Sequence, residues 1–174
     1  MTRRPRVAVV VPCSKEKAWD AWPALGPLPA AQAYTSPLHR ACQARAVALN
    51  AAQGWPWFVL SARYGLLRPA DLIPDTYDVT FSRPDDPVID DAALAKQLER
   101  FGLMVCDRLL VFCPDDYTDR LRHAVRLHHA ARWAHAARDD LRAAPVEVVP
   151  VFAGVPLDAL GQMTEVATRV DVAS

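Results

Sequence analysis

Two lysines, a cysteine and a serine crowd one short loop, Pro12-Cys13-Ser14-Lys15-Glu16-Lys17, although the 174-residue chain holds only three lysines against seventeen arginines. Backbone amides, the Ser14 hydroxyl and two ammonium groups together suit phosphate or another anion. The glycines of a Walker loop are absent, so this is not a P-loop of that type. Cys13 reads in two ways: as a nucleophile acidified by Lys15 or a helix amino terminus, or as a small residue packed beneath the loop.

A second polar segment is Leu60-Ser61-Ala62-Arg63-Tyr64-Gly65-Leu66-Leu67. Ser61 and Arg63 suit an anion, Tyr64 suits a planar group such as a base, and Gly65 suits a tight turn with positive φ. The alternative is that Tyr64 and Leu66 plug the core. A third segment, Asp71 to Asp78, supplies carboxylates and the Tyr77 phenol. Such groups activate water or stabilise the oxocarbenium-like transition state of N-glycosidic cleavage. Asp75 and Asp78 are the acid/base candidates, although acidic residues in Pro-rich loops also form turns. Cys113-Pro114-Asp115-Asp116-Tyr117 adds polar groups, with Asp115 or Asp116 equally fit to cap a helix. Tyr34, Thr35 and Ser36 either join the site or serve the helix that follows them.

Arg120 to Arg138 holds five arginines and four histidines with no acidic residue. At helical spacing Arg122, Arg126, His129 and Trp133 share a face, while Leu121, Ala124, His128, Ala131 and His135 form a more apolar one. The basic stripe reads as a contact for a nucleic-acid backbone or as a solvated face. No Cys/His spacing matches a zinc site, and no metal or cofactor is expected.

These segments need a scaffold that brings them together. Four apolar runs, Val7 to Val11, Trp57 to Leu60, Leu109 to Phe112 and Val146 to Val151, alternate with helical patterns. That alternation predicts an α/β domain with a mostly parallel sheet of about four strands, covered by helices on both faces. Helices are expected from Pro37 to Gln53, with Ser36 as cap and Gly54 as stop, from Asp90 to about Asp107, and from Asp115 or Asp116 to about Leu141. A last helix is expected from Pro156 to about Thr168. Trp22 to Pro29 and Arg68 to Pro87 read as Pro-rich irregular connections, the second long enough to be functional or mobile. The length and 52 % apolar content fit one domain over residues 1–174, with flexible ends at 1–5 and 169–174.

Twenty basic and twenty acidic side chains cancel, so any contact with a polyanion is local. Four cysteines without CxxC spacing, no secretory signal and no run of about 20 apolar residues lead to the expectation of a cytoplasmic protein with reduced thiols and no membrane partner.

PCSKEK at Pro12 to Lys17, Tyr34-Thr35-Ser36, LSARYGLL at Leu60 to Leu67 and Tyr77-Asp78 resemble the shared motifs of a family of small bacterial and phage domains. The resemblance covers roughly the first 120 residues. Such domains are similar to the YaaA-like peroxide-stress proteins, and a comparable Pro-Cys-Ser segment occurs in archaeosine-synthase-like tRNA-modifying proteins. The resemblance implies nucleic-acid base metabolism and a four-stranded α/β sheet like that of uracil-DNA glycosylases. The Gly-Gln-Asp-Pro-Tyr-His signature of those glycosylases is absent, which points away from literal uracil excision.

The expectation is therefore an enzyme acting on a nucleobase or nucleotide, cleaving or transferring an N-glycosidic bond in base repair, base modification or phage defence. Lys15, Lys17 and Arg63 would hold phosphate; Ser14, Ser36 and Ser61 would add hydrogen bonds; Tyr34 or Tyr64 would stack on an extruded base; Asp75 or Asp78 would handle water. Arg122, Arg126 and His129 would grip the DNA or RNA backbone. The competing expectation is a non-catalytic nucleic-acid or nucleotide sensor in a stress response.

Overall fold

A run of four valines interrupted only by Ala8 leaves no face for water, and Val7–Pro12 accordingly forms β1 at the centre of the sheet, buried along its whole length. In the computed structural model, which describes residues 6–135 and 145–152, five strands lie in the order β4-β3-β1-β6-β7. β3 (Trp57–Ser61) and β6 (Arg108–Val111) flank β1 in parallel, with Val10 opposite both Phe58 and Val111. β7 (Glu147–Pro150) pairs in parallel with β6. The sheet is thus mostly parallel, as expected, but has one strand more.

The additional strand is β4 (Gly65–Leu67), which returns antiparallel along β3 after a short turn. Gly65 sits at φ +72°, and a methyl there would collide with the Gln97 side chain. Gln97 explains the crowding: it accepts from Leu66 N–H at 2.7 Å and donates to the Tyr64 carbonyl at 2.8 Å, clamping the hairpin from outside. A second departure lies in the two Pro-rich connections. Leu28–Pro29 (β2) and Leu72–Ile73 (β5) pair with each other as a small antiparallel ribbon, so neither connection is wholly irregular.

The short helices α1 (Ala18–Ala21) and α2 (Ala30–Ala33) precede α3 (Pro37–Gln53). Ser36 caps α3 by accepting from His39 N–H at 3.2 Å, and Gly54 at φ +73° ends it. α4 (Asp91–Arg100) is capped by Asp90 and stops short of Asp107, because Gly102 takes a left-handed conformation and Leu103–Val105 tightens into a 3-10 turn. α5 (Asp115–His135) is described to His135; its expected extension to Leu141, the helix from Pro156 and both termini lie outside the described residues.

α3 packs on β1 and β3, while α4 packs against α5. Right-handed crossovers put α3 on one face and the α4/α5 pair on the other. Leu121 and Ala124 of α5 are buried, leaving Arg126 outside. No helix among the described residues is long and apolar enough to cross a membrane.

Candidate functional site

In a doubly wound sheet the crevice forms where consecutive connections leave a strand in opposite directions, at the carboxyl ends of the strands. Here the chain leaves β1 toward β3, then crosses back to β6 on the other side. The switch point is therefore beside β1, between it and β6. A cleft of about 310 Å³ opens there. Its floor is Pro12 to Lys17, continuing from β1; one wall is Ser36 and Leu38 from the first turn of α3; another is Pro114, Asp116 and Tyr117, after β6. The segment Asp78 to Arg83 closes the remaining side.

The loop after β1 divides its own residues between cleft and interior. Lys15 is exposed, lines the cleft and makes no ion pair among the described residues. Lys17, two residues on, is only 2 % exposed. Its ammonium donates to the Tyr77 carbonyl at 2.6 Å and the Lys15 carbonyl at 3.0 Å, and lies 4.2 Å from the centre of the Tyr77 ring. Burial lowers the Lys17 pKa, opposed by the charges of Asp20, Asp78 and Glu16. Its bonds tie the loop to the 77–83 segment. Two of its three donors are thus committed to the protein, so Lys17 has less to offer the expected phosphate than Lys15 has.

Behind Lys17 runs a buried hydroxyl chain whose polarity follows from counting lone pairs. Ser61 Oγ accepts from the N–H groups of Arg63 at 3.2 Å and Tyr64 at 3.1 Å, which fills both its acceptor positions. Its proton must go to Tyr77 Oη at 2.7 Å, and the Tyr77 proton must go to Tyr34 Oη at 2.6 Å. Burial raises the pKa of both phenols above the ordinary tyrosine range. Tyr34 is thus no stacking platform for a base, and Ser61 has no hydrogen bond left for a ligand. His39 completes this interior: its Nδ1–H donates to the Pro12 carbonyl at 2.6 Å, and its buried Nε2 has no partner. Burial lowers the His39 pKa and holds the ring neutral.

On the cleft side, Asp78 is gripped by Arg83, with Nη2 to Oδ1 at 2.9 Å and Nη1 to Oδ2 at 3.2 Å. The Arg83 hydrogen bond holds the Asp78 carboxyl below the usual aspartate range. Arg83 also donates to Asp86 at 2.9 Å, so one guanidinium organises the whole turn. Asp116 accepts from Ser82 Oγ at 2.6 Å, while its Oδ1 is buried without a hydrogen-bond partner. Asp116 thus braces the 77–83 segment. Cys13 Sγ lies 3.6 Å from Tyr117 Oη, and burial pushes its thiol pKa up, opposed by that hydrogen bond. Burial thus works against the acidified thiolate that the nucleophile reading needs.

Residues 8–138 match a family of unknown function, DUF6884. The chain belongs to this family. Every residue lining the cleft falls inside the matched span, so the cleft is a feature of the DUF6884 domain itself. The uncharacterized protein YfjM of Bacillus subtilis (strain 168) is 34 % identical over 116 residues, covering 67 % of this chain and 75 % of that relative. No solved structure matches.

Among the expected site residues of this DUF6884 domain, Ser14, Lys15, Lys17, Ser36 and Asp78 line the cleft. Arg63, Tyr64, Gly65 and Asp75 do not. The exposed Arg63 guanidinium lies 5.5 Å from the Tyr64 ring centre and 5.7 Å from that of Tyr77. Tyr64 meets Tyr77 edge-on at 5.2 Å. Asp75 accepts from Thr76 N–H at 2.6 Å, a local turn bond. In the α5 stripe, Arg122 is paired with Asp119 at 3.0 Å, and His129 is half-buried with its pKa lowered by burial, so it adds no charge at neutral pH. Only Arg126 of the expected trio is an exposed cation with no carboxylate partner among the described residues. Arg83 and Thr80 line the cleft without having been expected there. The signal was an arginine in the Pro-rich segment flanked by Asp78 and Asp86 at turn-forming distances.

Proposed function

We propose that the domain binds a phosphate-bearing nucleotide in the switch-point cleft, with Lys15, Ser14 and the first turn of α3 receiving the phosphate and the 78–83 segment covering the nucleoside. The observation that carries this is the position of the cleft: the crevice between β1 and β6 holds an unpaired lysine and the amino-terminal turn of a 17-residue helix. Helix amino termini and unpaired ammonium groups favour anions, and neither is neutralised by the Arg83 network. The motif resemblance to YaaA-like proteins and to nucleobase-processing enzymes points to the same ligand class.

A second reading, cleavage or transfer of an N-glycosidic bond, is favoured by the two carboxylates on the cleft walls. Asp78 keeps its charge and is anchored by Arg83, which suits stabilising a developing cation better than taking a proton. Asp116 carries the oxygen without a hydrogen-bond partner and replaces Asp75 as the group to activate water.

The test is calorimetric titration of 5′-mononucleotides at low salt, followed by mass spectrometry for released base from modified and unmodified DNA and RNA. Binding that weakens about tenfold in Lys15→Ala supports the first reading. Released base that disappears in Asp116→Asn supports the second. No binding of any mononucleotide contradicts the first, and no base release from any substrate contradicts the second.

A further inference from the structure

A second groove, of about 450 Å³, lies beside the cleft, between the 81–88 segment and the outer face of α5. The two are not separate features. Arg83 and Asp116 line both, and their partners, Asp78 and Ser82, line the inner cleft. An aromatic pair joins the two spaces: Tyr117, buried, lines the inner cleft, Phe81, half-buried beneath the Arg120 guanidinium at 5.4 Å, lines the outer groove, and their rings meet edge-on at 4.7 Å.

The cations of the outer groove sort by whether a carboxylate already holds them. Arg120 is paired with Asp91 at 3.0 Å, and His123 faces the same carboxylate at 3.4 Å. Arg122, on the neighbouring turn, neutralises Asp119. Arg83 is held by Asp78 and Asp86. That leaves Arg126 as the unpaired cation of the outer groove among the described residues, just as Lys15 is that of the inner cleft. Unpaired cations thus stand at two separate subsites, with a charge-balanced, partly aromatic stretch between them.

We propose that the ligand spans both subsites: a single-stranded oligonucleotide whose terminal nucleotide occupies the inner cleft and whose next phosphodiester reaches Arg126. This rests on the nucleotide-binding reading above and narrows its substrate class. Each space alone lies in the lower half of the ~300–1,000 Å³ range of small-ligand pockets, and a mononucleotide leaves the outer one unfilled. Joining two weak subsites through one ligand makes the second contact intramolecular, which raises affinity without any further residue.

The test compares a 5′-mononucleotide with 5′-phosphorylated di-, tri- and hexanucleotides, in DNA and RNA series, by competition at fixed low salt. Affinity is expected to rise about tenfold or more between one nucleotide and three, then level off. In Arg126→Ala, an exposed position where the fold is unaffected, the trinucleotide-to-mononucleotide ratio is expected to fall to within about twofold of one. The slope of log affinity against log salt for the trinucleotide should become shallower by about 0.7, one phosphate's worth for a single strand. Arg126→Glu should reduce the ratio further. A gain in only one series assigns the sugar; a gain in both leaves the polymer general and the proposal standing. Mononucleotide binding with no gain on lengthening, or a gain that survives Arg126→Ala, overturns the spanning ligand alone. Failure of every nucleotide to bind overturns the underlying reading instead.

Discussion

Lys15 and Lys17 are two residues apart and chemically the same, yet one is exposed in an open cleft and the other is buried at its edge with its ammonium on protein carbonyls. The region around Lys17 is an interior of saturated polar groups: Ser61, Tyr77 and Tyr34 pass one hydrogen bond to the next, and the ammonium sits on two carbonyls. The region around Lys15 has capacity left over, with an unpaired ammonium, a helix cap and an Asp116 oxygen without a hydrogen bond. The first region fixes where the loops after β1 and β3 and the 77–83 segment stand. The second is where a ligand finds partners. A polar residue in a motif therefore belongs to the site only if its hydrogen bonds are not already spent.

The comparison predicts opposite consequences for like substitutions. Lys17→Ala should have the largest structural effect. It strands two carbonyls and empties the space of a buried stem, at a cost of about 3 kcal/mol in denaturant unfolding. Lys15→Ala should change stability by less than about 0.5 kcal/mol and act on ligand affinity only. Equal stability losses in the two variants would erase the distinction.

Tyr77→Phe comes next. It removes the hydroxyl that both accepts from Ser61 and donates to Tyr34, leaving buried groups on each side without their partner. The expected loss is about 2 kcal/mol, measurable as a shift in urea midpoint. A neutral Tyr77→Phe would mean that water or a rearranged rotamer completes the chain.

The smallest effect is a dependence on pH. Unfolded His39 takes up a proton near its ordinary value of 6.5, whereas burial keeps the folded ring neutral to lower pH. Below 6.5 the unfolded state binds more protons, so stability falls as pH falls through that range. The buried tyrosines act at the other end, because folding raises their pKa and stability falls as pH rises past 10. Thermal melts should show the acid-side slope between about pH 6.5 and 5, and His39→Gln should flatten it from a lower starting stability. An unchanged slope in that variant would remove His39 as its source.

Much of the frame was legible because its causes are local. Runs such as Val7 to Val11 are buried on both faces by their composition, and Ser36 and Gly54 mark the ends of α3 by their own backbone preferences. β4 was hidden because three residues following a short turn look like loop, and its partner in the clamp, Gln97, is 31 residues away. The helix expected through Asp107 ends early at Phe101, since the left-handed Gly102 outweighs the apolar pattern beyond it. In the site, the loop after β1 was legible from a polar stretch following an apolar strand. The division between Lys15 and Lys17 was not, because it depends on the bridge between Lys17 and Tyr34 and on a carbonyl 60 residues downstream. Arg83 was harder to read for the same reason: the flanking Asp78 and Asp86 hint at it, but its role exists only once the 78–86 turn has closed.

The central claim is that the switch-point cleft, and not the surface around Arg63 and Asp75, receives a nucleotide. Backbone amide chemical shifts recorded during titration of the isotopically labelled protein with a 5′-mononucleotide test it residue by residue. The account predicts changes concentrated at Cys13 to Lys17, at Ser36 and Leu38, and at Asp78 to Arg83. Changes centred on Arg63, Tyr64 and Asp75 with the loop after β1 unmoved, or none at saturating nucleotide, would contradict it.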